Sequence, residues 1–73
     1  MKFHYYPETD SLYIDLSERE SADSREVGMG VIVDFDSEGR VVGIDIDNAS
    51  KIVDLSRLEA EDLPLSRVSL GKP

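Results

Sequence analysis

The stretch Val27–Asp47, VGMGVIVDFDSEGRVVGIDID, decides the fold. Val31-Ile32-Val33 and Val41-Val42-Gly43-Ile44 are rich in β-branched residues, whose side chains fit a pleated surface. They flank Asp36-Ser37-Glu38-Gly39, where the acid, the serine and the glycine suit a type I turn. The stretch reads as a long β-hairpin. Its apolar pattern selects a register: with Phe35 opposite Arg40, Val33 faces Val42 and Val31 faces Ile44. Val31, Val33, Phe35, Val42, Ile44 and Ile46 then share one face. A slip of one residue would set Asp34 among Val42 and Ile44 and lose burial. The opposite face carries Ile32, Asp34, Val41, Asp45 and Asp47 and is mixed.

Upstream, Lys2 to Tyr6 alternates, with Phe3 and Tyr5 on one side and Lys2, His4 and Tyr6 on the other. Leu12 to Leu16 alternates in the same way, and Pro7-Glu8-Thr9-Asp10-Ser11 between them is a turn-forming cluster. This is a first, shorter hairpin. Residues 17–23, SERESAD, have no apolar period and read as a surface loop. A third strand is expected from near Ser24, with a bulge or bend where Gly28 and Gly30 flank Met29. The glycine pair is no phosphate loop, because a strand and not a helix follows it.

Downstream of Asn48 the period changes. Ala49, Ile52, Val53, Leu55 and Leu58 fit a helical face, with Asn48 or Ser50 as the cap and Pro64 as the stop. Ser56-Arg57-Leu58-Glu59 has the form of a capping box and marks the start of a second short helix. For residues 65–73 three readings stay open: an edge strand, a swapped arm on a partner subunit, or a disordered tail.

The 73 residues imply a single domain, 1–73, with a marginal core. Dimerisation is a natural way for such a chain to gain burial. The absence of cysteine removes disulfides and thiolate metal sites and suits a reducing compartment. The net charge of −8 opposes phosphate backbones and favours a basic protein partner over nucleic acid. The start, MKFHYYPETD, lacks a long apolar core, and no run approaches a membrane span. A soluble, cytoplasmic protein is expected.

Two segments carry a resemblance. YYPETDSLYIDL, Tyr5 to Leu16, and SREVGMGVIVDFDSEGRVVGIDI, Ser24 to Ile46, resemble the small prokaryotic domain-of-unknown-function family numbered twenty-two eighty-three. That family tends to read Y-D-P-E-x-D-x-L-Y-I-x-L and then, after E-S-x-E-V, G-V-x-V-D-x-D-x-x-G-x-V-V-G-I-E-I. The likeness covers about residues 3–50, with Tyr6 where an acid is common and Asp45 where Glu is usual. It implies a compact sheet-plus-helix fold and brings no activity, ligand or catalytic residue. The company such proteins keep implies an antitoxin-like role toward a basic partner.

The sharpest local pattern is Asp34-x-Asp36-x-Glu38-Gly39 with Asp45 twelfth from Asp34, which superficially matches an EF-hand calcium loop. Glu at the fifth position, the short Asp at the twelfth and strand-like flanks favour a plain turn with solvated acids. A weak Ca²⁺ or Mg²⁺ site through Asp34, Asp36, Glu38 and Asp45 is the alternative. His4 is the single histidine, and its face also carries Lys2 and Tyr6, which points it to solvent. Ser11, Ser17 and Ser24 lack the frame of a nucleophile elbow. Asp45 and Asp47 lie two apart on a strand and read as a solvated face rather than a hydrolase pair. Tyr5, Tyr6 and Tyr13 suit a core edge or dimer contact.

The expectation is an α+β fold: a four-stranded antiparallel meander of two consecutive hairpins, with one or two short C-terminal helices on its apolar face. Its core is Phe3, Tyr5, Leu12, Ile14, Leu16, Val31, Val33, Phe35, Val42, Ile44 and Ile46. The expected function is non-enzymatic and needs no cofactor: a protein–protein interaction module, homo-oligomeric, with a basic partner. A small hydrolase ranks last.

Overall fold

The structure is a computed structural model, and it describes residues 1–57. Five strands form one antiparallel sheet: β1 (Lys2–Tyr6), β2 (Ser11–Asp15), β3 (Asp23–Gly28), β4 (Val31–Phe35) and β5 (Val41–Ile46). Their spatial order is β1-β2-β5-β4-β3. A single short helix, α1 (Ala49–Ile52), follows.

Both expected hairpins are present, as β1–β2 and β4–β5. The expected third strand is instead two strands. The chain reverses at Met29-Gly30 rather than bending there, because Gly30 takes a φ of 77°, a left-handed conformation suited to a tight turn. Consecutive pairing also fails at one point, since β2 lies against β5 and not against β3. Burial accounts for this. Leu12 and Ile14 of β2 meet Ile46 and Ile44 of β5 directly across the ladder. The charged strand β3, DSREVG, is left for an edge, where every residue is exposed. The connection from β2 to β3 spans the end of the sheet, with Leu16 N–H donating to Val42 O at 2.9 Å and Ala22 N–H to Phe35 O at 2.7 Å.

The β4–β5 register differs from the expected one by two residues at Val31 and Val33 and by one at Phe35. Val33 faces Ile44, Val31 faces Ile46, and Phe35 faces Val41. A shift of two keeps each side chain on its face, so the apolar pattern tolerates either pairing. The choice is made at the loop. Asp36 N–H donates to Arg40 O at 2.8 Å, and a bulge at Asp34/Phe35 absorbs Val42 as an extra residue.

Helix α1 closes one end of the apolar face. Neither expected residue caps it by its own side chain. Asn48 takes a φ of 52° with no capping bond, and Asp10 acts from forty residues upstream. The Asp10 carbonyl accepts the Ala49 N–H at 2.8 Å, and its carboxylate accepts the Ser50 N–H at 3.2 Å and the Ser50 hydroxyl at 2.7 Å. Ala49 is thereby fully buried against Leu12 and Ile46. The Ser56 hydroxyl and N–H both turn back to Asp54 Oδ1, so Asp54 organises that turn. The remainder of the expected second helix and the 65–73 tail lie outside the described residues.

The core is smaller than the pattern suggested. Leu12, Val42, Ile46 and Ala49 are the buried hydrophobic residues among those described. Ile14, Leu16, Val31, Val33, Phe35 and Ile44 are half-buried. Phe3 and Tyr5, expected inside, are 46% and 44% exposed, because β1 is an edge strand on the wing of the sheet.

Candidate functional site

The register sorts side chains onto two faces. On the polar face, β2 sets Tyr13 opposite Asp45 and Asp15 opposite Gly43, while β4 sets Asp34 opposite Gly43 and Ile32 opposite Asp45. His4 faces Tyr13 from β1, and Ser24 faces Asp34 from β3. The polar face thus runs across all five strands.

Its centre is Tyr13. The ring crosses over Gly43, and its hydroxyl donates to Asp34 Oδ2 at 3.0 Å. Ser24 donates its hydroxyl to Asp34 Oδ1 at 2.6 Å from the far side. A Cβ on Gly43 would lie 2.6 Å from Tyr13 Cζ and would collide with the phenol oxygen. Gly43 therefore interrupts the β-branched run VVGIDI to make room for a ring from the next strand. An aromatic laid across a strand glycine restores the packing that the glycine lacks.

Burial, then the hydrogen bond to Asp34 and the charges of Asp34, Asp15 and Asp45, push the Tyr13 pKa up to about 12. Tyr13 is a fixed phenol donor at neutral pH and not a general base. Burial also raises the Asp45 pKa, with Asp47 and Asp34 adding like-charge repulsion. Negative charge therefore gathers around Asp45 and Asp47, while Lys2 of β1 stands opposite Asp15 across the ladder. Among the described residues Asp15, Asp45 and Asp47 have no ion pair, whereas Arg19, Arg25 and Arg40 pair with Asp36, Asp23 and Glu38 elsewhere.

Two other carboxylates are occupied by the fold. Asp36 is buried, and its Oδ1 accepts the N–H groups of Glu38 and Arg40, both at 2.9 Å. Its Oδ2 takes Arg19 Nε at 2.9 Å and Arg40 Nε at 3.0 Å. The Arg40 backbone bond, with the Glu38 N–H and the Arg40 side chain, holds its pKa down to about 2 against the opposing effect of burial. Arg19 belongs to the β2–β3 connection, so this carboxylate pins that crossing to the β4–β5 loop. Asp10 also accepts the Tyr5 hydroxyl at 2.6 Å; that bond first, and Ser50 second, lower its pKa.

Asp34 and Asp45 share the polar face closely enough to repel each other, but the four proposed cation ligands are not gathered into one site. Asp36 is filled by N–H donors, Asp34 by Tyr13 and Ser24, and Glu38 turns to Arg40 at 3.2 Å. No group of three or more metal-ligating side chains forms among the described residues. His4 is exposed beside Tyr13. Ser11 bonds to Thr9, Ser17 to the Arg19 N–H and Ser24 to Asp34, so none of the three is joined to His4. The tyrosines split: Tyr5 lies on the apolar side and Tyr13 on the polar side.

The apolar face holds a groove of about 500 Å³. It is lined by Phe3, Tyr5 and Ile14 of the sheet together with Val53, Asp54 and Leu55 beyond α1. It lies on the opposite side of the sheet from His4 and from the cluster around Tyr13.

A family model described as "Protein of unknown function (DUF2283)" matches residues 2–50, more than half of the 73. The chain belongs to the DUF2283 family. No curated protein and no solved structure matches it. The DUF2283 match begins with β1 and ends inside α1, so it covers the whole sheet. It also contains the Asp10, Tyr13–Asp34 and Asp36 clusters. Among the described residues no helix is long and apolar enough to cross a membrane.

Sequence reasoning assigned Tyr13 to a core edge or dimer contact and missed its bond to Asp34, and it passed over the ring's seat on Gly43 and the capping role of Asp10. A signal for the seat existed: a lone glycine inside a β-branched strand marks close approach by another group. Nothing local marked Asp10, whose partner Ser50 is forty residues away.

Proposed function

We propose that the protein is a non-enzymatic interaction module whose acidic sheet face receives a basic protein partner. The carboxylates of Asp45 and Asp47, which form no ion pair among the described residues, beside the fixed Tyr13 phenol carry this reading. Lysine or arginine side chains would relieve the mutual repulsion of Asp45 and Asp47, and the rigid sheet presents the acids without a further ordering cost. Binding to a basic protein toxin, in the manner of an antitoxin, is the most specific form of this proposal.

The test is a pull-down at low salt with a salt-step elution, paired with titration of a lysine-rich peptide followed by backbone amide shifts. The expected result is a stoichiometric basic protein released by salt, and peptide shifts centred on β2 and β5 that shrink in Asp45→Asn/Asp47→Asn. A chain that captures nothing, with no peptide shifts at low salt, overturns the proposal.

A further inference from the structure

The two edges of the sheet differ in how they guard against further pairing. An unpaired edge strand presents free N–H and C=O groups to any other strand, and proteins commonly blunt such edges with charge and bulges. Edge β3 is blunted in both ways. It carries Asp23, Arg25 and Glu26, its register with β4 shifts between Glu26 and Gly28, and the Arg25 guanidinium lies 4.7 Å over the Phe35 ring. Edge β1, KFHYY, has no bulge, and its one charge is Lys2 at the end of the strand. Its five residues pair with β2 without a register shift, and it contains no acid. Phe3, Tyr5 and Tyr6 stay 46%, 44% and 50% exposed along it.

We propose that β1 is a self-pairing edge, and that two copies of this chain join antiparallel through Lys2–Tyr6 about a two-fold axis at His4, forming one continuous sheet. The register follows from the sequence of the strand. Centring on His4 uses all five residues and keeps each side chain on its own face. Phe3 then lies across from Tyr5 of the second copy, and Tyr5 across from its Phe3, so two aromatic cross-strand pairs continue the apolar face. Centring on Phe3 would set Lys2 against His4, and centring on Tyr5 would run Phe3 into Pro7. Both leave fewer residues paired.

Charge points to the same edge and to a second copy as the occupant. At a net charge of −8 two copies repel over most of their surfaces, and β3 would bring Asp23 and Glu26 of both together. Along β1 the charged side chain is Lys2, which this register places against Tyr6 of the second copy, next to its Glu8. The groove beside Phe3 and Tyr5 then meets its counterpart across the seam. A five-residue seam is small, so the association is of the transient class, and the acidic face stays open for a partner.

The full chain is tested by sedimentation equilibrium from about 1 μM to about 1 mM, a range that spans weak association. The expected result is a monomer–dimer equilibrium rising from 8.1 kDa toward twice that mass. The chain has no cysteine, so His4→Cys adds a single thiol at the axis. Residues directly opposite in an antiparallel pair have Cα atoms about 4.5–5.5 Å apart, within disulfide reach. Oxidised His4→Cys should give a covalent dimer, with at least about ten-fold less from Lys2→Cys or Glu26→Cys. His4→Asp, on an exposed site, should weaken the dimer about ten-fold with the circular dichroism spectrum unchanged. A monomer at all concentrations, as when another segment or protein occupies the edge, overturns the proposal. So does a dimer that crosslinks equally through Glu26→Cys, or one that His4→Cys does not crosslink.

Discussion

On the polar face Tyr13 is held in one place by Asp34 and by the gap at Gly43, whereas on the apolar face Phe3 and Tyr5 stand about half exposed beside an open groove. In most small domains the apolar face is the ordered one. Here the solvent side of the sheet carries a close fit of its own, and among the described residues the buried cluster of the apolar side is Leu12, Ile46 and Ala49. A chain this short cannot bury both faces, so position on the polar face is set by hydrogen bonds and a single steric gap. The arrangement also separates tasks: one face is rigid and acidic, the other supplies what burial there is.

The largest expected effect lies at the buried cluster of the apolar face. Leu12→Ala should lower unfolding stability by about 2–3 kcal/mol in urea melts, a large share of what a domain this size holds. A loss below about 1 kcal/mol would show that the Leu12–Ile46–Ala49 contact is not the core. Next comes the polar face. Gly43→Ala should cost about 2 kcal/mol, because the new methyl displaces the Tyr13 ring. The same substitution in a Tyr13→Ala background should cost much less, and equal costs in the two backgrounds would mean the ring is not over Gly43.

A smaller effect is expected from Tyr13→Phe, about 1 kcal/mol at pH 7 from the lost bond to Asp34. Its pH dependence is more telling. The folded-state pKa of about 12 stands above the ordinary 10.0, so folding favours the protonated phenol. That stabilisation is complete below pH 10 and fades as pH rises to about 12. The wild-type chain should therefore lose stability over that window. Tyr13→Phe should lose less, although Tyr5, whose pKa is also raised, keeps part of the slope. Identical alkaline melting curves would count against a desolvated Tyr13. The smallest effect should be Phe3→Ser, about 0.5 kcal/mol at micromolar concentration, since the ring is 46% exposed. A loss as large as that of Leu12→Ala would make the apolar face as tightly built as the polar one.

Much of this architecture was legible in residue order. The alternation of Lys2 to Tyr6, Leu12 to Leu16 and Val31 to Phe35 placed strands where strands occur, because period-two patterning is local. The turn at Asp36 to Gly39 was legible as well, since an acid and a glycine at those positions close a loop by themselves. The candidate site was less so. Asp34 and Asp36 stood out as possible cation ligands, yet their oxygens face Tyr13, Ser24, Arg19 and Arg40, partners that lie up to 21 residues away in sequence.

By itself the sequence determined the class of structure, the faces of its strands, the acidity of the surface and the resemblance to a family whose match covers the whole sheet. These follow from local periodicity and composition, which need no knowledge of neighbours. Only the tertiary structure decided that β2 pairs with β5, that β4 and β5 meet two residues out of the simplest register, and that Asp10 caps a helix forty residues downstream. Each of these is a choice among pairings that preserve the same alternation, and it is made by non-local terms: shared burial of Leu12 with Ile46, the steric gap at Gly43, and carboxylates that find their donors across the fold.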